Sequence, residues 1–248
     1  MIVDYTGISK TYDEFRSYPK SLIEALIEFA GIKEGMRILD LGCGTGNVAS
    51  QLLELINVKI IGVDLSLPML EVAKEKSLDV ICANADNSQL PFCDSSFDTI
   101  VGAYVFHQID NLRFLFSECH RILRAGALVF LTSSHHQIDH QHPIIKQFFP
   151  GCIDIDKNRF PDIPEVYSLL HSAGFQDIKN RELLVENIPM DQDYLRKVQG
   201  KYVSTYRLLP QKEFDLGVKR LEAFIKAGSQ PELREWRSTL VSGRKVID

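Results

Sequence analysis

From Met36 to Thr132 short apolar runs alternate with amphipathic helical patterns, and no other feature of the chain constrains its fold as strongly. Met36 to Leu41 reads as a strand, Asn47 to Ile56 as a helix with Val48, Leu52, Leu55 and Ile56 on one face, and Val58 to Val63 as the next strand. Ser66 stands where a second helix, carrying Leu70 and Val72, needs its N-cap, and Asp79 to Ala83 follows as a strand. Phe97 to Ala103 then reads as a buried strand, Asn111 to Arg124 as a helix, and Ala127 to Thr132 as a further strand. Strands separated by helices are joined by right-handed crossovers, which make them parallel. The expected fold class is α/β, a doubly wound, mostly parallel sheet.

Around this core the patterning is less regular. An N-terminal arm, Asp4 to Pro19, precedes a helix from Lys20 to Ala30 whose Leu22, Ile23, Leu26 and Ile27 form an apolar stripe ended by Gly31. Ser133 to Pro161 reads as polar and irregular, Glu165 to Ser172 as a helix stopped by Gly174, and Phe175 to Asn187 as a long strand. Asp191 to Ala227 is helical in pattern and Ser238 to Ile247 has β character. With no repeat and no flexible linker, the expectation is one domain over 1–248: arm and helix 1–31, ligand-binding core 32–187, helical lid insertion 188–235 and last strand 236–248.

A chain of 248 residues suits one large domain at about 100 to 200 residues per domain. With 45% apolar and 25% charged residues it has the composition of a globular protein. The longest uninterrupted apolar run, Ile100 to Phe106, falls far short of the ~18 residues of a membrane helix, and no membrane association is expected. The first residues lack a basic start followed by an apolar run, so a cytoplasmic location is expected. Cys43, Cys82, Cys93, Cys119 and Cys152 are odd in number and form no C-x-x-C pair, which argues against a disulfide framework or a zinc site. Four of them read as small core or turn residues. The net charge of −5 gives no general attraction to nucleic acid or anionic lipid, although residues 191–248 carry 12 basic against 8 acidic side chains. Nucleic acid is therefore an unlikely partner.

The chemistry is concentrated at the first strand-to-helix turn. Ile38-Leu39-Asp40-Leu41-Gly42-Cys43-Gly44-Thr45-Gly46 puts glycines where a nucleotide-like ligand can lie against bare backbone. The dinucleotide fingerprint G-x-G-x-x-G fails, because its third glycine falls on Asn47. The spacing present, E/D-x-G-x-G-x-G, resembles motif I of the class I S-adenosylmethionine-dependent methyltransferases. Further landmarks extend the resemblance. Ile61-Gly62-Val63-Asp64 ends the second strand in an acid about 20 positions on, able to accept from both ribose hydroxyls. Ala85-Asp86-Asn87-Ser88-Gln89-Leu90-Pro91-Phe92 resembles the family's G-D-A-x-x-L-P-F turn, and Arg121-Ile122-Leu123-Arg124-Ala125-Gly126 its L-R/K-P-G-G turn. Within the class the chain is most similar to the type 11 small-molecule methyltransferases, which include the quinone-biosynthesis C-methyltransferases.

Thr11-Tyr12-Asp13-Glu14-Phe15-Arg16-Ser17-Tyr18-Pro19 likewise resembles the Y-D-x-x-R-x-Y-P arm of that group. The resemblance implies a seven-stranded sheet with its last strand, Ser238 to Ile247, antiparallel, and a lid made of the arm and the insertion. It implies S-adenosylmethionine as cofactor, with contacts from Tyr12, Arg16, Gly42, Cys43, Gly44, Asp64, Leu65, Asp86, Asn87 and Ala103. Arg16 would take the methionine carboxylate in a forked contact, Asp86 the adenine amino group, and the Asn87 backbone amide the ring.

Methyl transfer from a sulfonium is an in-line displacement on an activated carbon, so the protein mainly aligns the nucleophile and excludes water. A base matters where the acceptor must lose a proton, and His107, after the fourth strand, is the candidate catalytic residue; otherwise it lines the pocket. His135, His136, His140 and His142 cluster after the fifth strand without metal-ligand spacing, and solvated or substrate-lining roles fit them better than a metal. The insertion carries Tyr194, Tyr202, Tyr206, Phe214 and Phe224, as a lid facing substrate or as a helical pair with an aromatic core. The expected activity is methyl transfer to a small-molecule acceptor by a monomer or homodimer. A non-catalytic S-adenosylmethionine-binding or adaptor protein and a nicotinamide oxidoreductase are the alternatives.

Overall fold

The structure, a computed structural model, describes residues 7–228 and 231–246. Two N-terminal helices, α1 (Tyr12–Phe15) and α2 (Lys20–Ala30), lead into β1 (Arg37–Leu41), α3 (Asn47–Leu55), β2 (Lys59–Asp64), α4 (Leu67–Glu75) and β3 (Asp79–Cys82). Then come β4 (Phe97–Ala103), α5 (Leu112–Ile122) and β5 (Leu123–Thr132). Short helices α6 (His135–Asp139), α7 (Pro143–Phe148) and α8 (Gly151–Arg159) follow, with α9 (Ile163–Ser172) and β6 (Gln176–Pro189). The chain ends with α10 (Gln192–Gln199), α11 (Ser204–Leu208), α12 (Gln211–Ala227) and β7 (Leu233–Lys245).

The strands form one seven-stranded sheet in the order β3-β2-β1-β4-β5-β7-β6. β1 to β5 pair in parallel, and β7 runs antiparallel to both β5 and β6. The order reverses between β1 and β4, and a crevice opens at their carboxyl ends. Both faces of the sheet are covered, which is why its central strands read as continuous apolar runs. Leu22, Ile23 and Leu26 of α2 pack over Ile38, Val101 and Val129 on one face. Phe116, Cys119 and Ile122 of α5, with Val166 and Leu170 of α9, pack over Leu39, Ile100 and Phe130 on the other. The left-handed Gly31, φ 67°, ends α2 as its spacing predicts, its N–H donating to the Glu28 carbonyl at 3.2 Å.

Several expectations are corrected. Ser133 to Pro161 is not irregular: it holds α6, α7 and α8, the first closed by a reciprocal capping box between Ser134 and Gln137. Apolar residues of the α7 and α8 segment face the insertion rather than the sheet. Ile145 and Phe149 join Tyr194, Val198, Tyr206 and Phe214 in a third apolar cluster, so the cap over the carboxyl ends is built from two segments. β7 starts at Leu233, five residues before the predicted Ser238, and the predicted end, Ile247, lies outside the described residues, as does the start of the arm, residues 4–6. Arg121 to Gly126 is no turn: α5 passes directly into β5, and a Cβ on Gly126 would lie 1.9 Å from the Asp98 carbonyl oxygen. Of the cysteines, all free, Cys43, Cys119 and Cys152 are buried, whereas Cys82 and Cys93 are exposed.

Candidate active site

The carboxyl ends of β1, β2 and β4 enclose a cavity of about 510 Å³. Tyr12, Arg16, Gly42, Gly44, Asp64, Leu65, Asp86, Ala103 and His107 all border it. Cys43 and Asn87 do not. The Cys43 thiol turns under the glycine turn toward Gly62, where an added Cβ would meet its sulfur at 2.7 Å. The Asn87 side chain accepts from Asn111 Nδ2 at 3.1 Å and so braces its loop to the start of α5.

Gly42 and Gly44 hold positive φ angles of 68° and 53°. A Cβ on Gly42 would strike Val105 at 2.3 Å, whereas one on Gly44 meets nothing within 4 Å and would project into free space. Gly44 therefore leaves bare backbone beside the cavity. Its N–H donates to Asp64 Oδ2 at 2.9 Å, and the Ser66 N–H donates to Asp64 Oδ1 at 2.8 Å. Ser66 sits at the N-cap as predicted, but its side chain makes no cap hydrogen bond; Asp64 takes its N–H instead. Burial pushes the Asp64 carboxyl upward, and the N–H groups of Ser66 and Gly44 oppose the shift. Each oxygen keeps capacity for a further donor, as a vicinal diol requires. Asp86 Oδ1 accepts from the Asn111 N–H at 2.8 Å, which fixes its position on the rim.

The arm is clamped onto the glycine turn. Asp13 accepts from Thr45 Oγ1 at 2.5 Å and pairs with Lys76 at 2.6 Å, and Asn47 Nδ2 donates to the Arg16 carbonyl at 2.8 Å. These contacts put the Arg16 guanidinium over the Tyr104 ring, 4.8 Å from its centroid. Arg16 Nε is buried with no hydrogen-bond partner, and among the described residues no carboxylate pairs with this side chain. Burial works against the charge, yet the phenol oxygens of Tyr12, Tyr18 and Tyr104 outweigh it and raise the Arg16 pKa. Tyr104 itself, with φ 54°, occupies a conformation unusual for a bulky residue. Its hydroxyl donates to Ser238 Oγ at 2.8 Å and accepts from Trp236 Nε1 at 3.1 Å, which ties the end of β4 to β7. Nothing in the sequence marks this linkage, since a positive φ is signalled only by glycine or asparagine.

A second cavity, about 790 Å³, lies under the cap. Arg16, Tyr104, His107, Tyr202 and Ser204 border both cavities and form their common wall. His107 lies in a short 3₁₀ turn, Phe106–Gln108, and is buried. Its pKa falls well below the ordinary value because burial, then the charges of Arg159 and Arg16, penalise the imidazolium. His136, His140 and His142 line the larger cavity, while His135 Nε2 bonds the Phe160 carbonyl at 2.8 Å. Among the described residues no group of three or more His, Cys, Asp or Glu could hold a metal ion. No described helix is long and apolar enough to cross a membrane.

Residues 39–131, which contain the glycine turn, Asp64, Asp86 and His107, match a protein family described as "Methyltransferase domain". The chain carries a methyltransferase domain. S-adenosylmethionine is the methyl donor of this enzyme class. The enzyme is 28% identical over 194 residues to a demethylmenaquinone methyltransferase of Staphylococcus aureus, covering 72% of this chain and 79% of the relative. Its fold is similar to that of a protein described as a methyltransferase from an antibiotic biosynthesis pathway of Anabaena variabilis, with a TM-score of 0.73, 21% identity and coverage of 91% and 98% of the two chains. It is also similar to phosphoethanolamine N-methyltransferase 2 of Haemonchus contortus in complex with S-adenosyl-L-methionine, at a TM-score of 0.66 and 18% identity. That match covers 99% of this chain but 61% of the other, so the enzyme spans less than two thirds of the Haemonchus protein's length.

Proposed function

We propose that the smaller cavity holds S-adenosylmethionine and that the enzyme passes its methyl group to a small-molecule acceptor in the larger cavity. The observation that carries this reading is the shared wall: Arg16, Tyr104 and His107 face both spaces. The residues present suit the cofactor. Arg16 has a buried, unpartnered Nε and, among the described residues, no carboxylate of its own, which fits a forked contact with the methionine carboxylate, with Tyr12 beside it. Asp64 has acceptor capacity for the ribose hydroxyls, the bare turn at Gly44 admits close approach, and Asp86 accepts from the adenine amino group. Leu65 and Ala103 add apolar walls, and Asn87 acts through Asn111 by holding the loop.

When bound, the cofactor supplies a methyl carbon already activated by its sulfonium. Where the acceptor must lose a proton as it takes the methyl group, His107, on the wall between the two cavities, would receive that proton. A neutral imidazole can take that proton, and its lowered pKa keeps it neutral at physiological pH. The arm and the two-segment cap keep water out of the path. The five free cysteines suit a reducing cytoplasm.

Calorimetry with S-adenosylhomocysteine and with NADH tests the cofactor, and labelled methyl transfer into fractionated metabolites tests the reaction. Binding of S-adenosylhomocysteine together with a labelled small product is expected. NADH binding in its place, or cofactor binding with no labelled product from any fraction, would overturn the proposal.

A further inference from the structure

We propose, on the basis of that reading, that the larger cavity is built for an acceptor carrying an anionic oxygen group, a carboxylate or a phosphate monoester, with Arg234 as its counter-charge. Arg234, near the start of β7, borders the larger cavity and not the smaller one. Its Nη1 reaches the Tyr202 hydroxyl at 3.4 Å, and no carboxylate among the described residues pairs with it.

Apart from Glu186, the acids around this cavity are engaged with other groups. Glu182 and Glu235 pair with Arg237 at 3.1 and 2.7 Å, Asp193 pairs with Lys197 at 3.0 Å, and Asp191 caps α10 by accepting from the Asp193 and Tyr194 N–H groups. Asp156 accepts from Thr205 Oγ1 at 2.6 Å, and burial pushes its carboxyl toward the neutral form. Glu186 is exposed. Among the described residues two guanidiniums on the wall pair with no carboxylate, Arg16 and Arg234; Asp156 feels the Arg234 charge but takes its hydrogen bond from Thr205, and Arg16 is assigned to the cofactor.

A guanidinium withdrawn from water is expensive unless a partner completes it, and its planar fork matches carboxylate and phosphate oxygens. Burial opposes the charge on Arg234, but the oxygens of Tyr202, Tyr194 and Tyr206 outweigh it, so the group stays cationic. The same cation disfavours an ammonium acceptor. Tyr202 also borders the cofactor cavity, so an anion held by Arg234 and Tyr202 anchors the acceptor beside the common wall. The Tyr194, Tyr202 and Tyr206 rings, with centroids 6.3 and 6.1 Å apart in successive pairs, offer an apolar surface for the rest of the molecule.

Trp236, the single tryptophan of the chain, borders this cavity and reports its occupancy by fluorescence. The protein, with excess S-adenosylhomocysteine, is titrated with phenyl phosphate, benzoate and benzyl alcohol. Saturable binding of at least one anion, about tenfold or more tighter than the alcohol, is expected from a charge-assisted fork. In Arg234→Gln that preference disappears, while S-adenosylhomocysteine affinity, read by calorimetry, is unchanged. An alcohol that binds as tightly as the anions, an anion preference surviving in Arg234→Gln, or no saturable response to either anion would overturn the proposal. The wild-type comparison needs no variant and stands even if Arg234→Gln fails to fold. Loss of S-adenosylhomocysteine binding in the wild type would instead defeat the methyltransferase assignment of the smaller cavity.

Discussion

The His107 imidazole lies flat on the Phe160 ring, centroids 4.1 Å apart and planes within 14° of parallel. The stack holds the imidazole at the wall between the cavities, and Arg159 and Arg16 add to the penalty of burial on its charged form. His107→Gln should lower the single-turnover methyl-transfer rate by about 100-fold, a typical loss for a general base, with cofactor affinity nearly unchanged. Because the folded pKa lies below the ordinary 6.5, the imidazole remains a base as pH falls through that value. The wild-type rate should therefore hold its plateau to below pH 6.5. Retention of the wild-type rate and pH profile in the Gln variant would leave alignment as the main source of catalysis.

Asp64 acts on both the protein and the proposed ligand, since it receives the N–H groups of Gly44 and Ser66. Asp64→Ala removes the proposed acceptor for the ribose hydroxyls and the brace of the glycine turn. Cofactor binding should weaken by about 1 to 3 kcal/mol, the cost of leaving such groups unpaired. Calorimetry with S-adenosylhomocysteine on the folded variant measures it, and an unchanged dissociation constant would take Asp64 out of the site.

The arm is the next test, because Asp13, Asn47 and Lys76 clamp it over a cavity that must open to exchange ligand. Hydrogen exchange over residues 7–19 should slow when S-adenosylhomocysteine is added, most clearly at the Arg16 N–H, which donates to the Tyr12 carbonyl at 2.9 Å. Arg16→Ala should weaken binding by about 1.5 to 3 kcal/mol, as for a hydrogen bond to a charged group. Equal protection with and without ligand would contradict the lid role, and normal affinity in Arg16→Ala would remove the carboxylate contact.

The fold was most legible where the sheet buries both faces. Lys20–Ala30 and Phe97–Ala103 have the bounds their apolar patterns predict, since one residue in each step is forced inward by a neighbour close in the pattern. The cap was not, because α6 to α8 place single apolar residues such as Ile145 and Phe149 against Tyr194 and Phe214, more than 40 positions away. The first residues of β7 were hidden for a related reason: Arg234 and Arg237 interrupt the apolar pattern, and Arg237 is satisfied by Glu182 on β6. At the cavity, the glycines follow β1, Asp64 ends β2 and Asp86 stands in the loop after β3, where local spacing marks them. Tyr104, Trp236 and Arg234 reach it through tertiary packing, and no local pattern announces that.

Asp40, the first acid of the glycine motif, gives a prediction with a definite sign. It is buried in β1, its Oδ2 has no hydrogen-bond partner, and burial pushes its pKa to about 7, with Asp64 adding to the shift and the Ala49 N–H opposing it. In the unfolded chain the same carboxyl titrates near 3.9. Between those values the folded protein binds a proton that the unfolded chain has released, so its stability falls as pH rises through this window and levels off above about pH 7. Asp40→Asn carries no such dependence. Its stability relative to the wild type should rise by about 2.5 kcal/mol between pH 5 and 7.5, at about 1.4 kcal/mol per unit until the slope fades near pH 7, and stay nearly constant above. Urea unfolding of both proteins across that range measures the gap. A gap independent of pH would mean that Asp40 is already ionised in the fold, with a donor supplied to Oδ2 by bound water.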